Sequence, residues 1–396
     1  MTLRLHKVSK QVDRLRENAV VRAARLQTEL PKARKAFDRA AERSGLYERA
    51  RGAAERGWDG AMPSAGEGLA FVKKAPALPP SLALVAVDGS QVYPDRHAAS
   101  LFYAINIGFF LHRYDSGETD ADSEPSIVFE DDSLYPEGNL ISTVILNARR
   151  TVEEMATLQR IASAEHRAAP GRAVLALADG GLALRIDEKA FPPMERDALQ
   201  NKFFAAVDRL AAETIPLAGY VARPGGSPVL SLIALALDPA AEPVVDRNRA
   251  GRPPFPGLDD RILFESILPP GSRSAVFEFA AYWNDRYRNR EPNQSAHFFY
   301  LNVGRAYPVV ARVEVPAWTA ANPDLLDRVH SALVEQCAVT LNDPYPYALI
   351  RADEEAYVSG EERMYLEQQM AVALIRGGLR VNRSEKLSHK GRARKH

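Results

Sequence analysis

The chain has 396 residues, 51 Lys+Arg, 51 Asp+Glu and a formal net charge of zero, which excludes a uniformly basic nucleic-acid coat and an acidic tail protein. With 46% hydrophobic and 26% charged residues it is too apolar for global disorder and fits one large domain or two to three smaller ones. Its one cysteine, Cys337, excludes an internal disulfide and a cysteine-rich zinc site, and no run approaches the ~18 apolar residues of a membrane span.

The zero hides a segregation. Residues 1–57 hold 15 basic against 7 acidic side chains, residues 372–396 hold 8 against 1, and the body between holds 28 against 43. Basic ends on an acidic body suit a metal-dependent enzyme acting on a polyanion. Solvated basic helix faces would give the same count. The first residues, Met-Thr-Leu-Arg-Leu-His-Lys, lack the apolar core of a secretory signal, so a cytoplasmic location is expected.

Val8, Val12, Leu15, Ala19, Ala23, Leu26 and Leu30 recur at spacings of three and four. They predict an amphipathic helix that Pro31 breaks or restarts. Ala33 to Ala41 predicts a second helix ending near Gly45, so 1–57 reads as a helical hairpin, suited to core packing or a dimer contact. Residues 58–80, rich in Gly, Pro and Ser, read as a linker or surface loop. Leu82–Val87 predicts a buried strand turning at Asp88-Gly89-Ser90. Strands follow at 101–111 and 126–129, a helix at 141–166, and a strand at 173–178 that turns at Asp179-Gly180. Helices at 195–213, 323–341 and 360–377 and strands at 216–222, 298–304 and 308–315 complete a mixed α/β pattern. The basic tail 384–396 has no apolar anchor.

One design occurs twice: an apolar strand, then Asp-Gly. It places Asp88 and Asp179 at strand ends, where open α/β sheets bind ligands. Two such carboxylates suit Mg²⁺ or Mn²⁺, although an Asp-Gly also simply makes a turn. In Arg150-Thr151-Val152-Glu153-Glu154-Met155, Glu154 lies beside the apolar helix face and Glu153 about 100° from it. Either is a candidate third acid. There is no Gly-x-x-x-x-Gly-Lys-[Ser/Thr] loop, no dinucleotide fingerprint, no His-Glu-x-x-His and no nucleophile elbow.

Val85-Ala86-Val87-Asp88-Gly89-Ser90-Gln91, Leu177-Ala178-Asp179-Gly180 and Tyr345-Pro346-Tyr347-Ala348-Leu349-Ile350-Arg351-Ala352-Asp353 together resemble the NurA nuclease family. So do Gly219 to Pro224, the Pro270-Gly271-Ser272-Arg273-Ser274 segment and Arg312-Val313-Glu314-Val315-Pro316. The resemblance runs from about 82 to 390 and implies an RNase H-like mixed sheet flanked by helices. It also implies a dimeric, manganese-dependent DNA nuclease, a single-strand endonuclease and 5'-3' exonuclease acting in DNA-end resection and double-strand break repair. The partner it implies is a HerA-like hexameric ATPase, and the missing phosphate loop agrees that ATP is used elsewhere.

By position, Asp88, Asp179 and Glu154 match the family's acids, with Glu153 still open, and Tyr345 matches a functional tyrosine. Asp353 falls where some members carry histidine; it would ligate metal but donate a proton poorly at neutral pH. The implied ligands are Asp88, Glu154, Asp179 and Asp353, around two Mn²⁺ ions, with Mg²⁺ as substitute. Arg223, Arg273, Arg312, Lys386, Lys390 and Arg392 are candidate DNA contacts, and Tyr93, Phe298, Phe299 and Tyr300 are candidates for base stacking, although Phe298 and Tyr300 alternate on a strand and core packing is the favoured reading for them. The expected organisation is a helical region 1–57, a linker 58–80, a nuclease domain 81–383 and a tail 384–396. The alternatives are a non-catalytic DNA-clamping or ATPase-regulating subunit, or a metal-dependent nucleotide phosphohydrolase.

Overall fold

The run Leu82–Val87 has no polar residue to turn towards water, so both its faces must be covered. It begins the central strand, Leu82–Val92, of a mixed sheet. Ala173–Asp179 lies parallel on one side, in register from Leu82↔Ala173 to Val87↔Ala178. Tyr103–Arg113 lies antiparallel on the other side, with Thr119–Val128 antiparallel beyond it. That last strand is mostly exposed, and its Asp, Ser and Glu residues blunt a sheet edge.

The computed structural model describes residues 7–64, 66–96, 98, 100–184, 186, 191–237, 255–290, 293–340 and 343–378. They divide into two units. The sheet above belongs to the first, Leu78–Asp179, Ala183–Ala218 and Pro346–His396. The second is Met1–Ala77, Gly180–Leu182 and Gly219–Tyr345.

Helices cover both faces of the first unit's sheet. Thr143–Ala168 turns Val152, Met155, Leu158 and Ile161 inward, and Ser142 caps it by accepting the Ile145 N–H. Pro193–Ala212 packs on that helix, and Tyr347–Ala356 lies on the two antiparallel strands. Residues directly opposed across an antiparallel pair share a face, so Gly108 points as Asp88 does, and Ile107 as Gly89 does. A Cβ on Gly108 would stand 2.3 Å from Ala356 N and 2.4 Å from Ala352 O, so the Tyr347–Ala356 helix covers that face. A Cβ on Gly89 would stand 2.5 Å from Glu154 Oε1, so the Thr143–Ala168 helix covers the other. Because backbone cannot yield as a side-chain tip does, Gly108→Ala is expected to destabilise the fold by about 3 kcal/mol. Urea denaturation measures it, and an unchanged midpoint would contradict this packing.

In the second unit, Gly60–Pro63, Phe277–Ala280, Ala296–Asn302 and Val310–Pro316 pair antiparallel in that order. Residues 219–221 of the Leu217–Val221 strand follow. The apolar Pro228–Leu237 helix, invisible to periodicity because it is apolar all round, is buried against this sheet's core.

Three expectations are corrected here. The expected linker 58–80 contains two strands, Gly60–Pro63 and Val72–Lys74, because Ala61, Met62 and Leu69 have apolar cover to reach. Pro31 does not break the first helix, which runs unbroken over Ser9–Ala41, with Leu46–Ala54 after it. The carbonyl that Pro31 leaves without a donor belongs to Gln27, on the exposed side, where water serves it. Phe299 is fully buried, as are Phe298 and Tyr300, for which core packing was the favoured expectation, so none of the three is available to stack on bases. Among the described residues, no helix is long and apolar enough to cross a membrane.

Candidate active site

The strand segment Asp88-Gly89-Ser90-Gln91 organises this site, and alternation gives each residue a different task. Asp88 and Ser90 point to the face covered by Tyr347–Ala356; Gly89 and Gln91 point to the face covered by Thr143–Ala168. No turn occurs at Asp88-Gly89, contrary to the sequence expectation. The strand continues to Val92, paired residue by residue with Tyr103–Arg113. Gly89 is needed there for space, since Glu154 Oε1 and the Arg150 side chain fill the place a Cβ would take. The second Asp-Gly does turn: the strand ends at Asp179, and Gly180 has φ +79°.

Asp88 Oδ1 accepts the N–H of Gly89 at 2.7 Å. The parallel register ends at Val87↔Ala178, so Asp88 and Asp179 are the next residues on adjacent strands, whose axes lie about 4.8 Å apart. Asp353 comes from the Tyr347–Ala356 helix. Ser90 Oγ donates to the carbonyl of Ala356, Asn106 Nδ2 donates to it at 2.9 Å, and these bonds satisfy the end of that helix. Glu154 comes from the opposite face. Its neighbour Glu153 is 44% exposed and pairs with Lys202 at 2.6 Å, so Glu154 is the acid on the site side.

Burial pushes the Asp88 carboxyl up to about 6; the Gly89 N–H opposes this, and the charges of Asp179 and Asp353 add to it. Burial pushes Glu154 up to about 7; Arg150 opposes this, and Asp88 and Asp179 add to it. Asp88 thus lies in the fields of Asp179 and Asp353, and Glu154 in those of Asp88 and Asp179, an arrangement typical of functional acids. All their donor atoms are oxygen, the preference of Mg²⁺ and Mn²⁺. Glu154 Oε1 is closed to solvent and has no aligned hydrogen-bond donor; the cation beside it is Arg150, whose Nε stands 3.0 Å away. Among the described residues, no three His, Cys, Asp or Glu side chains stand together as a formed metal cage. The all-oxygen donor set suits a hard cation.

Both raised groups bind protons more tightly in the folded than in the unfolded chain. Their stabilising contribution is complete below about pH 4 and is lost as pH rises through about 6 to 7. A divalent cation binds the ionised forms and reverses the trend. Scanning calorimetry should therefore show a small Mn²⁺-induced rise in Tm at pH 5 and a large one at pH 8. Equal rises would contradict metal binding at these acids.

The remaining predicted residues divide. Tyr345 lies in the second unit, packed edge-on against Tyr220 at 5.4 Å between ring centroids. Arg223 is exposed just after the Leu217–Val221 strand. Arg273 is 2% exposed, with Nη1 and Nη2 held by Glu67 at 2.9 and 2.6 Å, so it is committed to Glu67 and presents nothing to a phosphate. Arg312 is bound to Glu314 through Nε and Nη2 at 3.0 and 2.7 Å; Glu314 also accepts the Leu182 N–H at 2.9 Å. Lys386, Lys390, Arg392 and the whole tail 384–396 lie outside the described residues. The sequence reading assigned no task to Arg150 or Gln91. The i,i+4 spacing of Arg150 and Glu154 was the available signal.

The NurA domain family model matches residues 82–358. The crystal structure of the NurA nuclease from Sulfolobus solfataricus is similar over 95% of this chain and 98% of its own, at TM-score 0.53 and 13% identity, and shares the fold. A crystal structure of NurA with manganese aligns over 95% of this chain and 99% of its own, at TM-score 0.42 and 11% identity. One of NurA bound to dAMP and manganese aligns over 96% and 99%, at TM-score 0.40 and 12% identity. No curated protein matches the chain significantly.

Proposed function

We propose that this chain, which belongs to the NurA domain family, is a metal-dependent DNA nuclease. The observation that carries the reading is the gathering of Asp88, Glu154, Asp179 and Asp353 about one strand segment, with Asp88 and Glu154 raised by burial and by mutual charge. These four residues would hold Mn²⁺, or Mg²⁺ in its place, in a site for up to two ions. The bound cation would supply an activated water and neutralise charge on the scissile phosphate.

The chain's own residues supply the frame. Asp88 and Asp179 are fixed by the sheet, Ser90 holds the helix bearing Asp353, and Gly89 admits Glu154. Tyr345 is carried as a further candidate for catalysis. Arg223 and the tail residues Lys386, Lys390 and Arg392 are the candidates left for phosphate contacts, since Arg273 and Arg312 are committed within the protein. The finer reading is single-strand endonuclease and 5'-3' exonuclease activity in DNA-end resection, by a cytoplasmic homodimer working with a HerA-like hexameric ATPase. Its support is the set of family motifs together with the absence of a phosphate loop. The nuclease domain is taken as 81–383.

The test is incubation of labelled single- and double-stranded DNA with the protein in Mn²⁺, Mg²⁺ or EDTA, with and without the ATPase. Cleavage in Mn²⁺ that EDTA abolishes is expected; DNA left intact in every condition rejects the reading. Deleting 384–396 should weaken DNA binding and flatten its salt dependence, since each lost phosphate contact removes about one unit of slope. Binding isotherms across a salt series measure this, and unchanged slopes would remove the tail from the interface.

A further inference from the structure

The strands Ala296–Asn302 and Val310–Pro316 are joined by a loop whose base is pinned and whose tip stands in water. Asn302, 1% exposed, organises the base. Its Oδ1 accepts the N–H groups of Gly304 and Val309 at 3.0 and 3.1 Å, and its Nδ2 donates to the Leu268 carbonyl at 2.8 Å. The Val303 N–H closes the neck on the Val309 carbonyl at 2.9 Å. The chain folds directly over Gly304, where a Cβ would stand 2.0 Å from the Tyr307 carbonyl oxygen. Pro308 fixes its own φ and favours extended backbone at Tyr307. On this base Arg305, Ala306, Tyr307 and Pro308 are all exposed, Tyr307 by 58%.

We propose that the 304–308 tip is a contact for single-stranded DNA, in which Tyr307 stacks on a base and Arg305 binds a neighbouring phosphate. The inference deepens the nuclease reading by naming a contact for its DNA, and rests on it. Phe298, Phe299 and Tyr300 are buried on the strand that leads to this tip, and Tyr307 is the exposed ring of the same hairpin. Arg273 and Arg312 are held by Glu67 and Glu314, whereas Arg305 is exposed. An unpaired base offers its face to any aromatic ring, so a ring two residues from a guanidinium suits a single strand and not a closed duplex. Because the loop is pinned at its base, little chain freedom is lost when the tip is covered. The tip's four exposed residues are too few for a protein interface, which takes about 20 residues a side.

The test is the affinity of the full chain for labelled oligothymidylate, measured in EDTA so that no cleavage intervenes. Tyr307→Ala should weaken single-strand binding by about tenfold, and binding of a duplex of the same length by less than about twofold. Tyr307→Phe, which keeps the ring, should restore single-strand affinity to within about twofold of wild type. Arg305→Ala should lower the slope of log affinity against log salt by about 0.7, the share of one single-strand phosphate contact. Melting curves check that each variant is folded. Unchanged single-strand affinity in Tyr307→Ala would leave the tip to a protein contact and overturn the proposal, as would an equal loss on the duplex or an unchanged slope in Arg305→Ala. The nuclease reading would still stand on cleavage by wild type in Mn²⁺. If Tyr307→Ala fails to fold, the Arg305→Ala slope decides alone. Wild type that neither binds nor cleaves single-stranded DNA sinks both readings.

Discussion

Asp88→Asn is expected to lower Mn²⁺-dependent cleavage of DNA by about a thousandfold, the loss of roughly 4 kcal/mol of charge stabilisation at the reacting phosphate. The same change should raise the Tm of the metal-free protein at pH 8. Asp88 is a carboxylate that burial and the charges of Asp179 and Asp353 disfavour, so above about pH 6 its ionised form works against folding. Asparagine keeps the shape and removes the charge. An acceptor for the Gly89 N–H remains, so the local strand geometry is kept. Activity and metal-free stability should therefore move in opposite directions, and the Mn²⁺-induced rise in Tm should shrink. A structural residue gives the other pattern, with activity and stability falling together. Cleavage assays beside calorimetry separate the two, and near-wild-type cleavage by Asp88→Asn would remove Asp88 from the site.

The second large effect is expected at a residue with no side chain. In Gly89→Ala the new methyl would stand 2.5 Å from Glu154 Oε1 and 2.9 Å from the Arg150 Cγ. Unlike the backbone that faces Gly108, the tip of a glutamate swings aside readily. The fold should survive with a Tm only a few degrees lower, while Glu154 leaves its position over the strand. A misplacement of about 1 Å in such a group costs about a hundredfold in rate. The measurement is kcat for single-stranded DNA alongside a melting curve. Unchanged kcat would mean that Glu154 takes no part, and complete unfolding would mean that the notch serves packing instead. The pair Gly89→Ala and Gly108→Ala thus distinguishes two glycines one residue apart in register, one making room for chemistry and the other for a helix.

The site was partly legible for a physical reason. A carboxylate after an apolar run, as at Asp88 and Asp179, is a local signal, because the run's burial follows from hydrophobicity; that the strand ends and is exposed at Asp179 but continues, half-buried, through Asp88 is not local. Glu154 was legible only as one of two, since adjacent helix residues differ by about 100° and a helix face is broad. The structure separates them by partner: Lys202 for Glu153 and Arg150 for Glu154. Arg273 and Arg312 were read as surface cations because a basic residue in a motif carries no mark of its depth. Glu67 and Glu314, which take up their charge, are remote or two residues away and become partners only through the sheet.

The mixed α/β class, the main apolar strands and helices and the position of Asp179 at a strand end were determined by the sequence alone, since periodicity and hydrophobicity are properties of a local stretch. Tertiary structure decided the rest. The linker became two strands because strands distant in sequence were there to pair with them. Pro31 stayed within a helix because the residue whose carbonyl it leaves unpaired, Gln27, is exposed. Gly89 proved to be a space and not a turn because Glu154 and Arg150, some sixty residues on, come to lie against it. Room, depth and charge partnership are set by what packs opposite a residue, and no local pattern encodes that.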